Sequence, residues 1–132
     1  MEYRVGIVGC GGIARVHAQS LLRMDNVKMI AFADCKPERA QGFASEYGGN
    51  AYASLEEMLA AEHLDVLHIC TPHALHVPMA LQAAEKGIQV FTEKPAAVND
   101  EQMDALMEAA KKVHVGVCFQ NRYNDNVRYV QQ

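Results

Sequence analysis

Tyr3-Arg4-Val5-Gly6-Ile7-Val8-Gly9-Cys10-Gly11-Gly12-Ile13-Ala14 reads as a strand that runs without a spare residue into a glycine turn and the start of a helix. A GxGxxA pattern carries meaning only in that setting, leaving a strand and opening a helix. Gly9 supplies the tight turn, Gly11 lets the backbone approach a pyrophosphate, and Ala14 is small enough for close helix-to-strand packing. A helix opening at Gly12 and Ile13 presents unpaired N–H groups and about half a positive charge to such an anion. Glycines also make ordinary turns, so the loop alone does not decide the matter.

Asp34 adds the second half of the pattern. It ends the next apolar run, 20 residues after Ala14, where a carboxylate accepts hydrogen bonds from adenosine ribose hydroxyls and repels a 2′-phosphate. A turn or capping Asp ahead of Lys36-Pro37 is the competing reading, but it leaves the spacing without a reason. Asp34 favours NAD, while Lys36 and Arg39 nearby keep NADP open. Arg39 suits either the face of the adenine or a solvated helix surface. The same two features occur in S-adenosylmethionine-dependent methyltransferases, so later residues have to separate the classes.

Working outward, apolar segments rich in β-branched and aromatic residues begin near Tyr3, Val27, Asp65, Ile88 and Val113, and all but one of the intervals is 23 to 25 residues. That is the length of a βα unit. The exception, 38 residues from Val27 to Asp65, holds two helical patterns and a short strand around 50–53. Met29 to Ala33 and Val66 to Cys70 are nearly continuous in apolar character, as strands covered by helices on both faces are. Pro37 suits a first helical position, Ser54 with Glu57 makes a capping-box pattern, and Asn99 with Gln102 repeats it. Gly48 and Gly87 stand where helices should stop. Met103, Leu106, Met107 and Ala110 form one apolar stripe, which makes those methionines core residues. The alternation predicts an α/β fold: a doubly wound parallel sheet of the Rossmann kind in three α/β/α layers.

Composition narrows the function classes. The chain has 132 residues, 50% hydrophobic and 21% charged, which suits one domain. Twelve Lys plus Arg against sixteen Asp plus Glu give a formal charge of -4, with no positive field for nucleic acid or anionic lipid. The longest run without a charged residue, Val66 to Ala84, holds three His, Gln82 and two Pro, so no membrane span is expected. No secretory signal pattern opens the chain, and the default address is cytoplasmic. Cys10, Cys35, Cys70 and Cys118 form no CxxC pair and read as reduced, small hydrophobic residues.

Two further motifs stand at expected C-terminal strand ends, where open α/β sheets bind ligands: Cys70-Thr71-Pro72-His73-Ala74-Leu75-His76 and Glu93-Lys94-Pro95. With the glycine loop and Asp34, in that order, they make the chain resemble the N-terminal half of the Gfo/Idh/MocA oxidoreductase family, and Glu-Lys-Pro excludes most methyltransferases. The resemblance implies that Lys94 lies beside the nicotinamide and the reacting carbon of a sugar or polyol. An ammonium there stabilises the alkoxide that develops as hydride leaves, and burial beside a cationic ring lowers the lysine pKa. It further implies that a cis peptide before Pro95 aims Lys94 into the cleft, and that Glu93 contacts the cofactor ribose or orients Lys94, a plain surface role being the alternative. Thr71, Pro72 and His76 match the family's Thr-Pro-x-x-x-His stretch, which lines the cofactor. His73 departs from the usual Asn. Gln120 and Asn121 would approach the nicotinamide side.

His73 and His76 lack an Asp, Glu or Cys to complete a ligand set, so no metal is expected. His17 on the first helix and His68 and His114 in strands read as structural histidines. The domain is expected to occupy 1–120, with 121–132 starting the connection to a substrate domain that this chain does not contain. By the resemblance, that second domain supplies most of the substrate pocket and usually the homo-oligomer interface. The chain is then expected to bind cofactor yet show little activity by itself. A non-catalytic NAD-binding sensor or scaffold is the reading from another class, and retention of Lys94 argues against it.

Overall fold

A strand that is apolar on both sides can satisfy its backbone and bury its side chains only inside a sheet with a layer on each face. The computed structural model describes residues 2–72, 75–93 and 99–118. In it the apolar runs become β1 (Tyr3–Val8), β2 (Val27–Ala33), β3 (Asn50–Tyr52), β4 (Val66–Ile69), β5 (Gln89–Glu93) and β6 (Val115–Cys118). Between them lie α1 (Gly12–Leu22), α2 (Pro37–Tyr47), α3 (Leu55–Ala61), α4 (His76–Glu85) and α5 (Asp100–Ala109). The strands pair in parallel in the order β3-β2-β1-β4-β5-β6, a Rossmann arrangement.

On one face Val5, Ile7 and Phe32 pack with Ala14, Ala18 and Leu21 of α1 and with Phe43 of α2. On the other, Val8, Leu67, Ile69 and Val90 pack with Met58 of α3, Ala80 and Ala83 of α4, and Leu106 of α5. Each large side chain so covered contributes about 1.5–3 kcal/mol. The β1–β2 register steps from Val5 opposite Met29 to Gly6 opposite Ala31, so Ile30 is an extra residue and joins Ala31 in the second core.

Local chemistry fixes the helix ends. Ser54 Oγ accepts from Glu57 N at 3.1 Å while Glu57 Oε2 accepts from Ala53 N at 3.1 Å. Asn99 Oδ1 accepts from Gln102 N at 2.8 Å. Pro37 opens α2, and Gly48 and Gly87 carry the positive φ that stops α2 and α4. No helix among the described residues is long and apolar enough to cross a membrane.

Three expectations fail. Met103 and Met107 are 43% and 61% exposed, because α5 leans on α4 with Leu106 and Ala109 and leaves the neighbouring stripe to solvent. Cys35 is exposed, whereas Cys10 is buried in the core as expected. His114 lies just before β6 rather than within it and is exposed, its N–H donating to the Gln89 side chain.

His17 and His68 meet on the sheet face beside α1, their Nδ1 atoms 2.9 Å apart and Phe91 against both rings. One ring must donate and the other accept, so the contact forbids a proton on both facing nitrogens. Burial, and then the neighbouring His17, push the His68 pKa down to about 3. An imidazole in the unfolded chain titrates near ~6.5. Below that pH the unfolded state takes up a proton that the folded state refuses. Stability is therefore full above about pH 6.5 and falls as the pH drops toward 3, by up to about 1.4 kcal/mol per unit. His68→Leu is expected to flatten the pH dependence of urea-unfolding free energy between about pH 6.5 and 4.5; a slope equal to the wild type's would rule this linkage out.

Candidate functional site

The sheet order reverses between β1 and β4, and a crevice opens over their C-terminal ends. Their backbones come close enough to exclude a side chain. Gly9 has φ +88°, and a Cβ built on it would lie 2.7 Å from the Cys70 carbonyl and 2.8 Å from Thr71 N. Only glycine meets both conditions. Neighbouring strands clamp the two chain ends: Gly9 N donates to Ala33 O and Cys70 N to Val8 O, each at 2.8 Å.

The crevice holds about 360 Å³ and is bounded by Gly9, Gly11, Asp34, Arg39, Thr71 and Pro72. That volume lies within the usual range for small-molecule sites. Gly11 contrasts with Gly9. Its φ is -98°, which any residue adopts, and a Cβ there would meet nothing nearer than Arg39 Nη1 at 3.9 Å. The room above Gly11 is crevice, not protein.

Gly11 is also the N-cap of α1, and it brings no capping side chain and no acidic residue in the first turn. The same holds for α4, which starts on the other side of the crevice. By contrast, Ser54 and Asn99 cap α3 and α5. The opening amides of α1 are thus left for an acceptor supplied from outside, and the helix dipole favours an anion there. Ala14, fully buried, lets α1 lie close on the sheet.

Asp34, at the end of β2, is 8% exposed and lines the crevice. Its Oδ2 accepts from Cys10 N at 2.7 Å and its Oδ1 from Lys36 N at 2.8 Å. The Cys10 thiol, buried and facing the Asp34 charge, has its pKa pushed up to about 12. It stays protonated at neutral pH and is no nucleophile. Across the crevice Thr71 Oγ1 donates to Met79 Sδ at 3.4 Å. His76, the first residue of α4, is 1% exposed with Nε2 2.7 Å from Thr71 O. A carbonyl only accepts, so His76 carries its proton on Nε2 and holds the turn after β4.

The expected residues therefore divide into groups. Gly9, Gly11, Asp34, Arg39, Thr71 and Pro72 converge on one crevice. Gly12 and Ile13 stand exposed on the first turn of α1. His76 is turned into the protein against Thr71 and lies outside the crevice lining. Glu93 ends β5, its backbone paired with Cys118. His73, Lys94 with Pro95, Gln120 and Asn121 lie outside the described residues, as does the 121–132 connection. Among the described residues no group of three or more His, Cys, Asp or Glu is placed to hold a metal.

Sequence reasoning missed the crevice's apolar wall, made by Leu55 at the start of α3 and Leu75 and Met79 around the start of α4. The available signal was positional: each sits in the first turns of the helix that follows a strand, or just before it.

This geometry has relatives. The model of an oxidoreductase family, NAD-binding Rossmann fold (Gfo/Idh/MocA), matches residues 3–121. The chain is 31% identical over 112 residues to glucose-6-phosphate 3-dehydrogenase of Bacillus subtilis, covering 85% of this chain and 31% of that protein. It is 28% identical over 134 residues to inositol 2-dehydrogenase of Rhizobium meliloti, covering 100% of this chain and 40% of the relative. The crystal structure of the WlbA dehydrogenase from Chromobacterium violaceum, in complex with NADH and UDP-GlcNAcA, superposes with a TM-score of 0.89 at 32% identity. It covers 98% of this chain and 38% of the other. The chain thus spans between three and four tenths of the length of these relatives. A match over nearly all of its residues, on a sheet of the same topology, places the chain in the Gfo/Idh/MocA oxidoreductase family, as its NAD-binding Rossmann domain.

Proposed function

We propose that this domain binds NAD across the crevice and, joined to the remainder of its enzyme, serves a dehydrogenase that moves hydride between nicotinamide and a hydroxyl-bearing carbon of a sugar, inositol or related polyol. One observation carries the reading. Among the described residues, a Cβ on Gly11 would meet within 4 Å nothing but the Arg39 guanidinium at 3.9 Å, and the position lies beside uncapped helix amides and a crevice carboxylate. Adenosine, ribose and pyrophosphate are the three chemistries that set of donors and acceptors suits. The names of the relatives support the substrate class.

NAD supplies the hydride acceptor when bound. The chain's own residues do the holding. Gly11 admits the pyrophosphate to the amides of Gly12 and Ile13. Asp34 accepts from the ribose hydroxyls and disfavours the 2′-phosphate of NADP, which Lys36 and Arg39 attract more weakly. Thr71 and Pro72 wall the path toward the nicotinamide, with His73, Glu93 and Gln120 as further contacts read from the sequence. His76 acts behind them by fixing Thr71. Lys94 holds the substrate hydroxyl and takes its proton as the oxygen becomes a carbonyl, a role worth about 10²–10⁴ in rate.

Calorimetric titration of the 132-residue chain with NAD, NADP and S-adenosylmethionine tests the cofactor class. Binding of NAD, weaker binding of NADP and none of S-adenosylmethionine is the expected result; S-adenosylmethionine heat without NAD heat would discard the assignment. The two glycines give a sharper contrast. Gly11→Ala should leave unfolding free energy within about 0.5 kcal/mol of wild type yet weaken NAD about tenfold or more, some 1.4 kcal/mol. Gly9→Ala should cost about 1–3 kcal/mol of stability. In the full-length enzyme Lys94→Ala should lower kcat about 10²-fold or more with NAD affinity kept, and undiminished turnover would remove Lys94 from the chemistry.

A further inference from the structure

The crevice carboxylate is bonded to the protein's own backbone. Both Asp34 oxygens accept backbone N–H groups, from Cys10 at 2.7 Å and from Lys36 at 2.8 Å. The Cys10 bond joins residues 24 apart in the chain and reaches the middle of Gly9-Cys10-Gly11. It adds to Gly9 N bonding Ala33 O at 2.8 Å and Cys10 Sγ bonding Ala33 O at 3.5 Å. A carboxylate at 8% exposure needs such donors, since an ionised oxygen without them is costly to bury. Its two oxygens offer about four lone-pair sites, so two remain for ribose hydroxyls.

We infer that Asp34 is the positioning residue of the glycine loop as well as the ribose acceptor. It pins the Cys10 amide to the end of β2 and thereby fixes the backbone at Gly11, where the pyrophosphate must approach. The two halves of the nucleotide site then share one carboxylate, and removing it slackens the pyrophosphate cradle even for a ligand with no ribose hydroxyls to lose. Replacing Asp34 alone cannot make an NADP site as tight as the wild-type NAD site, because the cradle loosens under both dinucleotides. The ribose part of this inference rests on the NAD reading above; the loop tether does not.

Asp34→Asn is the informative variant. Its amide retains one acceptor oxygen and sets an NH2 against the other backbone N–H. Wild type and variant are each titrated with NAD and with an NAD analogue carrying 2′,3′-dideoxyadenosine. Were Asp34 acting only through ribose hydroxyls, the loss caused by the substitution would vanish with the analogue. The tether predicts that a loss of about tenfold remains, as for a hydrogen bond to a charged group. It also predicts that amide hydrogen exchange at Cys10, in the ligand-free protein, speeds about tenfold or more in Asp34→Asn while Ile7 and Phe32 are unchanged.

A loss that disappears with the analogue, or an Asp34→Asn variant that binds NADP as tightly as wild type binds NAD, overturns the inference. If no dinucleotide binds wild type, the functional reading fails while the Cys10 exchange rates still decide the tether. Should the variant not fold, wild-type exchange decides it: a Cys10 amide exchanging as fast as an exposed loop amide overturns the proposal.

Discussion

At the point where β1 and β4 end side by side, two backbones occupy the room that a side chain would need. Gly9 sits there because a Cβ would fall 2.7 Å from the Cys70 carbonyl, and its φ of +88° turns the chain up and away from the sheet. The rest of the site follows from that contact. The turn starts α1 over the crevice with Gly11 as its N-cap, which leaves the helix amides uncapped. It sets Cys10 next to the end of β2, within reach of Asp34. Cores on both faces of the sheet hold the strands at this spacing, so apolar burial is what makes the close approach permanent.

Polar groups inside the fold are few, and their placement is informative. Among the described residues the buried polar side chains are His17, Asp34, His76 and Thr92. Asp34 and His76 each hydrogen-bond backbone just past a strand end: Asp34 accepts from Cys10 N and Lys36 N, and His76 donates to Thr71 O. A buried polar group costs free energy unless bonded, so each is stable only while its loop keeps the observed path. The crevice walls are thereby held by side chains behind them as well as by the strands below.

Much of this was legible in the sequence. The 23- to 25-residue spacing of apolar runs, the glycines and the capping patterns locate the six strands and five helices of the described residues, because backbone periodicity and caps are local properties. Asp34 stands out by its distance from the glycine loop, and it lines the crevice. What stayed hidden depends on tertiary packing. The stripe Met103, Leu106, Met107, Ala110 is equally helical to the one that includes Leu106 and Ala109, and only the position of α4 selects the second. His76 was placed by its motif beside a ligand, whereas its ring turns inward because a carbonyl lies 2.7 Å away. No spacing rule could tell that the Asp34 oxygens are already bonded to amides.

That bonding bears on the role in hydride transfer proposed above. Gly9, Cys10 and Cys70 each have their amide tied to a neighbouring strand or its terminal carboxylate. The protein's own hydrogen bonds thus hold the cradle in place, which lowers the loop-ordering cost of binding. Hydride transfer is demanding in geometry, since reacting atoms must be held about 3–3.5 Å apart and aligned. A cofactor anchored through its adenosine diphosphate half on a rigid sheet meets that demand at one end. The proposed reading assigns its reactive end to Thr71, Pro72 and the Glu93-Lys94-Pro95 motif, which come in sequence at or after the ends of β4 and β5. That reading divides anchoring and chemistry between the two sides of the same topological reversal. Substitutions on the Gly9–Asp34 side should act first on affinity, and those after β5 on the rate of the chemical step.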